Sequence, residues 1–283
     1  VDTGASVIFT DIDDTLNMCP MSLESLITKK TKAIIPVHML GVPADMISIN
    51  NIGKKFKIPI IEDACEAIGA KVAKKYVGGL SEFGVFSFDF GKMITTGEGG
   101  ALFSKKKNDG KIARMYHDHG HKNIPDLPRG LDRAGLIGFN YRMTEISGAF
   151  GKVQLGKFSG ILKESKKRYL TLERYISHNQ IKLRHVNLGN EPNYDTFVIS
   201  IENKKLRNRV ISLLNQTGFG TKNLPDAFNW HCAYFWKHIN KKIRNKEVTN
   251  CYKRLLRCVA IPILVSRPII DYKNIASYIN ELS

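Results

Sequence analysis

The feature that most constrains this chain is one apolar strand–helix–strand unit near its start. Ala33-Ile34-Ile35-Pro36-Val37 is apolar and β-branched and reads as a strand. Pro43 and Asp45 open a helix that runs to about Phe56, with Met46, Ile49, Ile52 and Phe56 near helical spacing. Ile58-Pro59-Ile60-Ile61 returns as the next strand. Strands joined through a helix lie parallel with a right-handed crossover, so an α/β domain is expected. Ser6-Val7-Ile8-Phe9-Thr10, upstream, reads as a further buried strand.

Beyond this unit, 69–79 reads as a hairpin or loop, Val85–Phe88 and Ala101–Phe103 as strands, and Lys105–Tyr116 as a helix. An irregular stretch (117–140) precedes a long helical region from about Thr144 to Ile176. Gly148, Gly151, Gly156 and Gly160 within it predict close packing or breaks. Tyr194–Ile201 alternates as a half-buried strand, Lys204–Thr217 suits a helix stopped by Gly218, and 268–281 reads as a last helix. The expected partition is a large α/β domain over 1–165 and a smaller α+β domain over 166–283, the boundary falling near 165–180.

Hydrophobic content of 43% and charged content of 24% suit a soluble globular chain. No apolar run approaches the roughly 18 residues that a membrane span needs, and the first residues lack a signal-peptide pattern. Five Cys without a C-x-x-C pair argue against a disulfide framework or a zinc site and fit a reducing cytoplasm. The net charge of +17 favours anionic partners in general. The Lys and Arg are scattered, however, and no helix-turn-helix, zinc-finger or RNA-binding pattern accompanies them, so neither nucleic acid nor membrane is expected as a partner.

Val7-Ile8-Phe9-Thr10-Asp11-Ile12-Asp13-Asp14-Thr15-Leu16 matches the strand-plus-D-x-D-x-T pattern of haloacid-dehalogenase-type phosphatases, in which Asp11 and Asp13 would act beside Mg²⁺. That chemistry needs a further acidic pair after a later strand. Glu62-Asp63 is the nearest, and it has another explanation. A strand end with an Asp-capped turn accounts for the same letters.

In Pro59-Ile60-Ile61-Glu62-Asp63-Ala64-Cys65-Glu66-Ala67, an apolar strand delivers carboxylates at its C-terminal end, where α/β sheets place ligands. Asp63 could keep a pyridine nitrogen protonated; taken alone, a helix N-cap explains it equally well. Gly84-Val85-Phe86-Ser87-Phe88-Asp89-Phe90-Gly91-Lys92-Met93-Ile94-Thr95-Thr96-Gly97-Glu98-Gly99-Gly100 is a strand followed by one Lys in a Gly-rich loop. A Lys beside apolar residues can lose its charge by desolvation and become the amine that Schiff-base formation requires. Ser87 offers a hydroxyl to a phosphate oxygen.

Taken with Pro36-Val37-His38-Met39-Leu40-Gly41-Val42-Pro43-Ala44-Asp45 and Gly138-Phe139-Asn140-Tyr141-Arg142-Met143, these segments resemble, in order and across essentially the whole chain, the DegT/DnrJ/EryC1/StrS family of sugar aminotransferases. The resemblance implies the type I fold of pyridoxal-phosphate-dependent transferases, a mostly parallel sheet flanked by helices with a smaller C-terminal α+β domain. It implies pyridoxal 5'-phosphate as cofactor, held by Lys92 as an internal aldimine. Asp63 would pair with the ring nitrogen, Glu66 would lie near the ring hydroxyl, and Ser87 would bond the phosphate. Asn140 would reach the phosphate of the partner subunit's cofactor, which implies a homodimer. Relatives with His at the Lys92 position act as dehydratases, so Lys here implies transamination from an amino acid, glutamate by resemblance, to a keto-sugar.

A finer resemblance is to the branch that makes 8-amino-3,8-dideoxy-manno-octulosonate. It rests on Tyr116-His117-Asp118-His119-Gly120-His121, Pro128-Arg129-Gly130, and Thr221-Lys222-Asn223-Leu224-Pro225-Asp226-Ala227 with Trp230-His231-Cys232. It implies a keto-sugar acid as acceptor. His119 reads as a substrate or cap contact rather than a metal ligand, and Arg129, Lys222 and His231 as a cationic cleft for a carboxylated or phosphorylated sugar. Family members carry a further N-terminal portion whose Gly-Thr-Ala-type turn cradles the cofactor phosphate, and the sequence starts after those elements. A non-catalytic relative that keeps the fold and dimerises is therefore the alternative expectation.

Overall fold

The structure, a computed structural model, describes residues 3–128, 131–132, 135–236, 239 and 246–282. The expected parallel pairing forms between the segment around Ile34–Val37 and β1 (Ile61–Asp63). Ile61 N donates to Ile34 O and Asp63 N to Pro36 O, both at 2.9 Å, while His38 N returns a bond to Asp63 O at 2.9 Å. The first segment shows isolated bridges rather than a continuous strand. Pro36 and Pro59 lack the N–H groups a full ladder would use.

Between these lines runs α2 (Met46–Phe56), capped by Asp45, whose carboxylate accepts Ser48 N at 3.1 Å. Its apolar stripe of Met46, Ile49 and Ile52 is buried in one core with Ile34, Ile58, Ile60, Ala64 and Ala67. β1 pairs in parallel with β4 (Phe83–Ser87), which pairs antiparallel with β5 (Gly100–Ser104). The 69–79 stretch is a hairpin of β2 (Lys71–Val72) and β3 (Lys75–Tyr76), turned through positive φ at Ala73 and Lys74. β2 also pairs with β7 (Asn190–Glu191), a short strand the sequence reading did not anticipate.

Ser6–Thr10 is not a strand. Its backbone has no ladder partner among the described residues, and Ile8 is 62% exposed. The chain beyond it folds on itself instead, with Asp13 N donating to Asn17 O at 3.0 Å and a bridge between Ile12 and Met18.

After α1 (Pro20–Leu26) and α3 (Lys107–His117), α4 (Glu145–Tyr175) runs unbroken for 31 residues, its N-cap Thr144 accepting Ser147 N at 3.2 Å. The breaks expected at its glycines do not occur. Gly148, Gly156 and Gly160 face open space, whereas a Cβ at Gly151 would lie 2.8 Å from Thr96 Cγ2. Further along, Phe158 fills the space a Cβ at Gly69 would need. Near its end Arg168 donates to Val265 O and Arg267 O, both at 2.9 Å.

The last third forms an antiparallel sheet ordered β6 (Ile181–Leu183), β8 (Thr196–Ile201), β9 (Cys258–Pro262), with α5 (Lys204–Gln216) and α8 (Ile269–Asn280) packed on it. α6 (Phe228–His231) and α7 (Lys246–Leu255) lie between α5 and β9 in the chain. β8 was expected half-buried and is buried on both faces. Phe197, Ile199 and Ile201 enter one core with Leu172, Val210, Leu214 and Tyr272, while Val198 enters another with Leu40, Leu224, Cys258 and Ala260. Leu40 thus ties the N-terminal α/β part to the back of this sheet. Among the described residues no helix is long and apolar enough to cross a membrane.

Candidate active site

The strand pleat divides the paired carboxylates of β1. Alternate residues point to opposite faces, so Glu62 enters the core while Asp63 remains half-buried at the strand's C-terminal end. Glu62 is anchored by the amides of Gly78, Leu80 and Ser81, each at 2.7 Å, and by His38 Nε2 at 3.3 Å. Among the described residues, the one backbone donor to Asp63 Oδ1 is the nearby Cys65 N, at 3.1 Å.

On the neighbouring strand Asp63 lies in register with Val85, two residues before Ser87. Ser87 Oγ accepts Asp89 N at 3.2 Å, a bond that does not use its own O–H. β4 then opens into a loop closed at its neck by Phe88 N to Gly99 O and Thr96 N to Phe88 O, both 2.9 Å, and anchored by buried Ile94. Lys92 stands on that loop, half-buried, with Nζ 3.7 Å from Glu66 Oε1.

Glu66 is itself fixed. Its Oε2 accepts Leu40 N at 2.8 Å, its Oε1 accepts Asn223 Nδ2 at 2.7 Å, and its carbonyl accepts Asn193 Nδ2 at 2.9 Å. Gly41, with φ +81, makes room for Asn193, because a Cβ there would lie 1.9 Å from Asn193 Oδ1. The Cys65 thiol is pushed up to about 12 by burial first and then by its hydrogen bond to Asp63, against a downward pull from Lys92. Asp63, Glu66 and Lys92 all act on this one thiol, and the balance favours its protonated form.

The structure brings Lys92, Glu66 and Asp63 together, with Ser87 on the adjoining strand end. Lys222 also arrives here: its ammonium is paired with Asp195 and reaches Gly91 O at 3.4 Å. Asn140 is exposed, its backbone bridged to Asp118. His119 is exposed at φ 55, its ring 6.3 Å from that of His121, and His231 is exposed at the end of α6. Arg129 lies outside the described residues. No group of three or more His, Cys, Asp or Glu among the described residues is arranged to hold a metal ion.

Sequence reasoning gave Asn193, Asp195 and Asn223 no site role, although Asn223 lies in the Thr221–Ala227 segment quoted above. The polar run Glu191-Pro192-Asn193-Tyr194-Asp195 ahead of an apolar strand marks a functional edge only once it is known which end of that strand faces Glu66.

The carboxylates of the D-x-D-x-T segment are occupied by local structure. Asp11 Oδ1 accepts Ile12 N at 2.8 Å and its Oδ2 accepts Asn250 Nδ2 at 3.0 Å. Asp13 Oδ1 accepts Thr15 N at 2.8 Å, and Asp14 pairs with Arg254. These contacts cap a turn and fasten it to α7.

The profile of the DegT/DnrJ/EryC1/StrS aminotransferase family matches residues 1–277. The chain belongs to that family. Its aminotransferases depend on pyridoxal phosphate, and the phosphatase reading of Asp11 and Asp13 falls with that assignment. The fold resembles that of the sugar aminotransferase CalS13 from Micromonospora echinospora (TM-score 0.86, 20% identity, covering 99% of this chain and 75% of that one). It also resembles Helicobacter pylori PseC, an aminotransferase involved in the biosynthesis of pseudoaminic acid (0.85, 23%, 98% and 74%). A third likeness is to the E. coli GDP-4-keto-6-deoxy-D-mannose-3-dehydratase with bound hydrated pyridoxal phosphate (0.82, 23%, 98% and 75%). These likenesses establish the type I fold of pyridoxal-phosphate-dependent transferases.

The residues present fit the family's cofactor. A half-buried amine, a carboxylate at the sheet end and a hydroxyl at the neighbouring strand end are the donor set that an aldehyde, a pyridine nitrogen and a phosphate require.

Proposed function

We propose that this protein transfers an amino group from an amino acid, glutamate in our reading, to a keto-sugar or keto-sugar acid, with pyridoxal phosphate carried on Lys92. The observation that carries the reading is the amine of Lys92, 3.7 Å from Glu66 Oε1, on a loop beside the strand that ends in Asp63. Bound at an amine with its ring nitrogen protonated, the cofactor supplies an electron sink that eases proton removal from the carbon bearing nitrogen.

Each protein group then has one task. Asp63 holds the proton at the ring nitrogen, since an adjacent carboxylate raises a basic nitrogen's pKa. Lys92 Nζ carries protons to and from the reacting carbon. Glu66, fixed by Leu40 N and Asn223, orients the amine. Ser87 donates to the phosphate. Arg129, His119 and His231 serve the sugar and its acidic group, and Asn140 contacts the cofactor of a second copy in a cytoplasmic homodimer. The same reading divides the chain at 165/166 into cofactor-binding and small domains, a division that α4 crosses without a break.

The test is direct. With pyridoxal phosphate the protein should turn yellow, borohydride should fix the cofactor to the Lys92 peptide, and added glutamate should bleach the colour with release of 2-oxoglutarate. A protein that stays colourless favours a non-catalytic relative. A coloured protein that glutamate cannot bleach removes glutamate as the donor.

A further inference from the structure

We propose that Lys222 is a positioning residue: it grips the backbone one residue before Lys92 and so sets where the reactive amine stands. The inference rests on the aminotransferase reading above. Gly91 O receives Lys222 Nζ at 3.4 Å. The other backbone hydrogen bonds of 89–92 among the described residues stay within 87–92: Asp89 N to Ser87 Oγ, Gly91 N to Asp89 Oδ2 and Lys92 N to Asp89 O. The Lys222 ammonium is therefore the hydrogen bond that ties this loop tip to the last third of the chain.

Both ends of the grip are held. Lys222 N donates to Ala260 O of β9 at 2.9 Å. Asp195, its ion-pair partner, accepts Ile263 N on its carbonyl at 3.0 Å and donates its own N–H to Asn193 Oδ1 at 3.1 Å. A compact ammonium with three donors can satisfy a carboxylate and a carbonyl together.

The neighbouring residue works on the other side of the amine. Asn223 Nδ2 donates at 2.7 Å to Glu66 Oε1, the oxygen that faces Lys92 Nζ. Consecutive residues thus hold the backbone that carries Lys92 and the carboxylate that Lys92 faces. Asn193 adds a bond to Glu66 O at 2.9 Å from the Asp195 side.

A substrate contact and a positioning contact separate in kinetics. Lys222→Met should lower kcat about 10- to 100-fold, the scale of loss that a small misplacement of a reacting group produces. KM for the amino donor and for the keto-sugar should each stay within about threefold, because uniform binding is untouched. With no substrate present, stopped-flow absorbance should show pyridoxal phosphate attaching to Lys92 more slowly by a similar factor. Lys222→Arg, which keeps a cation for both partners, should recover most of the attachment rate. Asp195→Asn should act in the same direction, and the double variant with Lys222→Met should be no slower than Lys222→Met alone.

If Lys222→Met does not fold, Lys222→Arg and Asp195→Asn decide the matter through the same rate. Wild-type attachment in Lys222→Met together with a tenfold rise in keto-sugar KM makes the residue a substrate contact and overturns the proposal. So does Asp195→Asn with wild-type attachment. A wild-type protein that takes up no cofactor at Lys92 overturns the aminotransferase reading, and this inference with it.

Discussion

His38 Nε2 lies 3.3 Å from Glu62 Oε2 with both side chains fully buried, immediately behind the strand end that carries Asp63. His38 Nδ1 accepts Ala44 N at 3.1 Å, so Nε2 bears the proton and donates to Glu62. Among the described residues the carboxylate receives four donors: this ring and the amides of Gly78, Leu80 and Ser81. Burial works against its charge, but His38 and the Gly78 and Ser81 amides outweigh burial and hold the carboxyl below the ordinary 4.5.

A carboxyl depressed in the folded state contributes stability that is complete above its unfolded pKa and is lost as pH falls through the folded value. Glu62→Gln turns an N–H₂ toward donors and should cost about 2–4 kcal/mol at neutral pH. It should also flatten the loss of stability below the ordinary value of 4.5 relative to wild type. Urea unfolding at pH 7 and pH 4 measures both effects; a cost under 1 kcal/mol contradicts the buried-charge account.

Lys92→Ala should abolish borohydride fixation of pyridoxal phosphate while leaving urea stability within about 1 kcal/mol, since the amine's ion pair is partly solvated. Mass spectrometry of the reduced digest reads the first effect. Fixation at another lysine in this variant would show that the amine has been wrongly assigned.

Two glycines should respond in opposite directions. At Gly84 on β4 a Cβ would lie 1.9 Å from Gly78 O, a backbone atom that cannot step aside. Gly84→Ala should therefore destabilise by about 3 kcal/mol or more, or prevent folding. Gly160, inside α4, faces open space, and Gly160→Ala should stabilise by roughly 0.5–1 kcal/mol. Thermal melts of the pair check both signs.

Asp11→Asn keeps a hydrogen-bonding side chain at a turn far along the sequence from the amine. It should leave transamination within about threefold and cost no more than about 1 kcal/mol, the scale of one hydrogen bond. No Mg²⁺-dependent phosphate release is expected from either protein. Release that disappears in Asp11→Asn would reopen the phosphatase reading.

Local chemistry was legible in the sequence wherever short-range pattern decides structure. Asp45 marked a helix start, and the apolar runs 58–61 and 85–88 marked β1 and β4 to within two or three residues (61–63 and 83–87), so the strand-end position of Asp63 and the loop position of Lys92 followed from them. The Ser6–Thr10 strand failed because an apolar run carries no information about whether a ladder partner exists. The glycines of α4 suggested interruption, yet a helix capped by Thr144 and packed along its last turns absorbs their entropic cost. Asn193, Asp195 and Asn223 stayed hidden because each meets Glu66 or Lys222 only through tertiary contact, which spacing along a chain cannot encode.

The long helix α4 touches Thr96 of the Lys92 loop near one end, at Gly151, and fastens the 265–267 backbone through Arg168 near the other. At about 1.5 Å per residue these anchor points stand roughly 26 Å apart, measured on a single rod. An inserted or deleted residue between them would shift that ruler and rotate one anchor by about 100° against the other. Length variation among homologues should therefore gather in the turns around this helix and spare the span from 151 to 168.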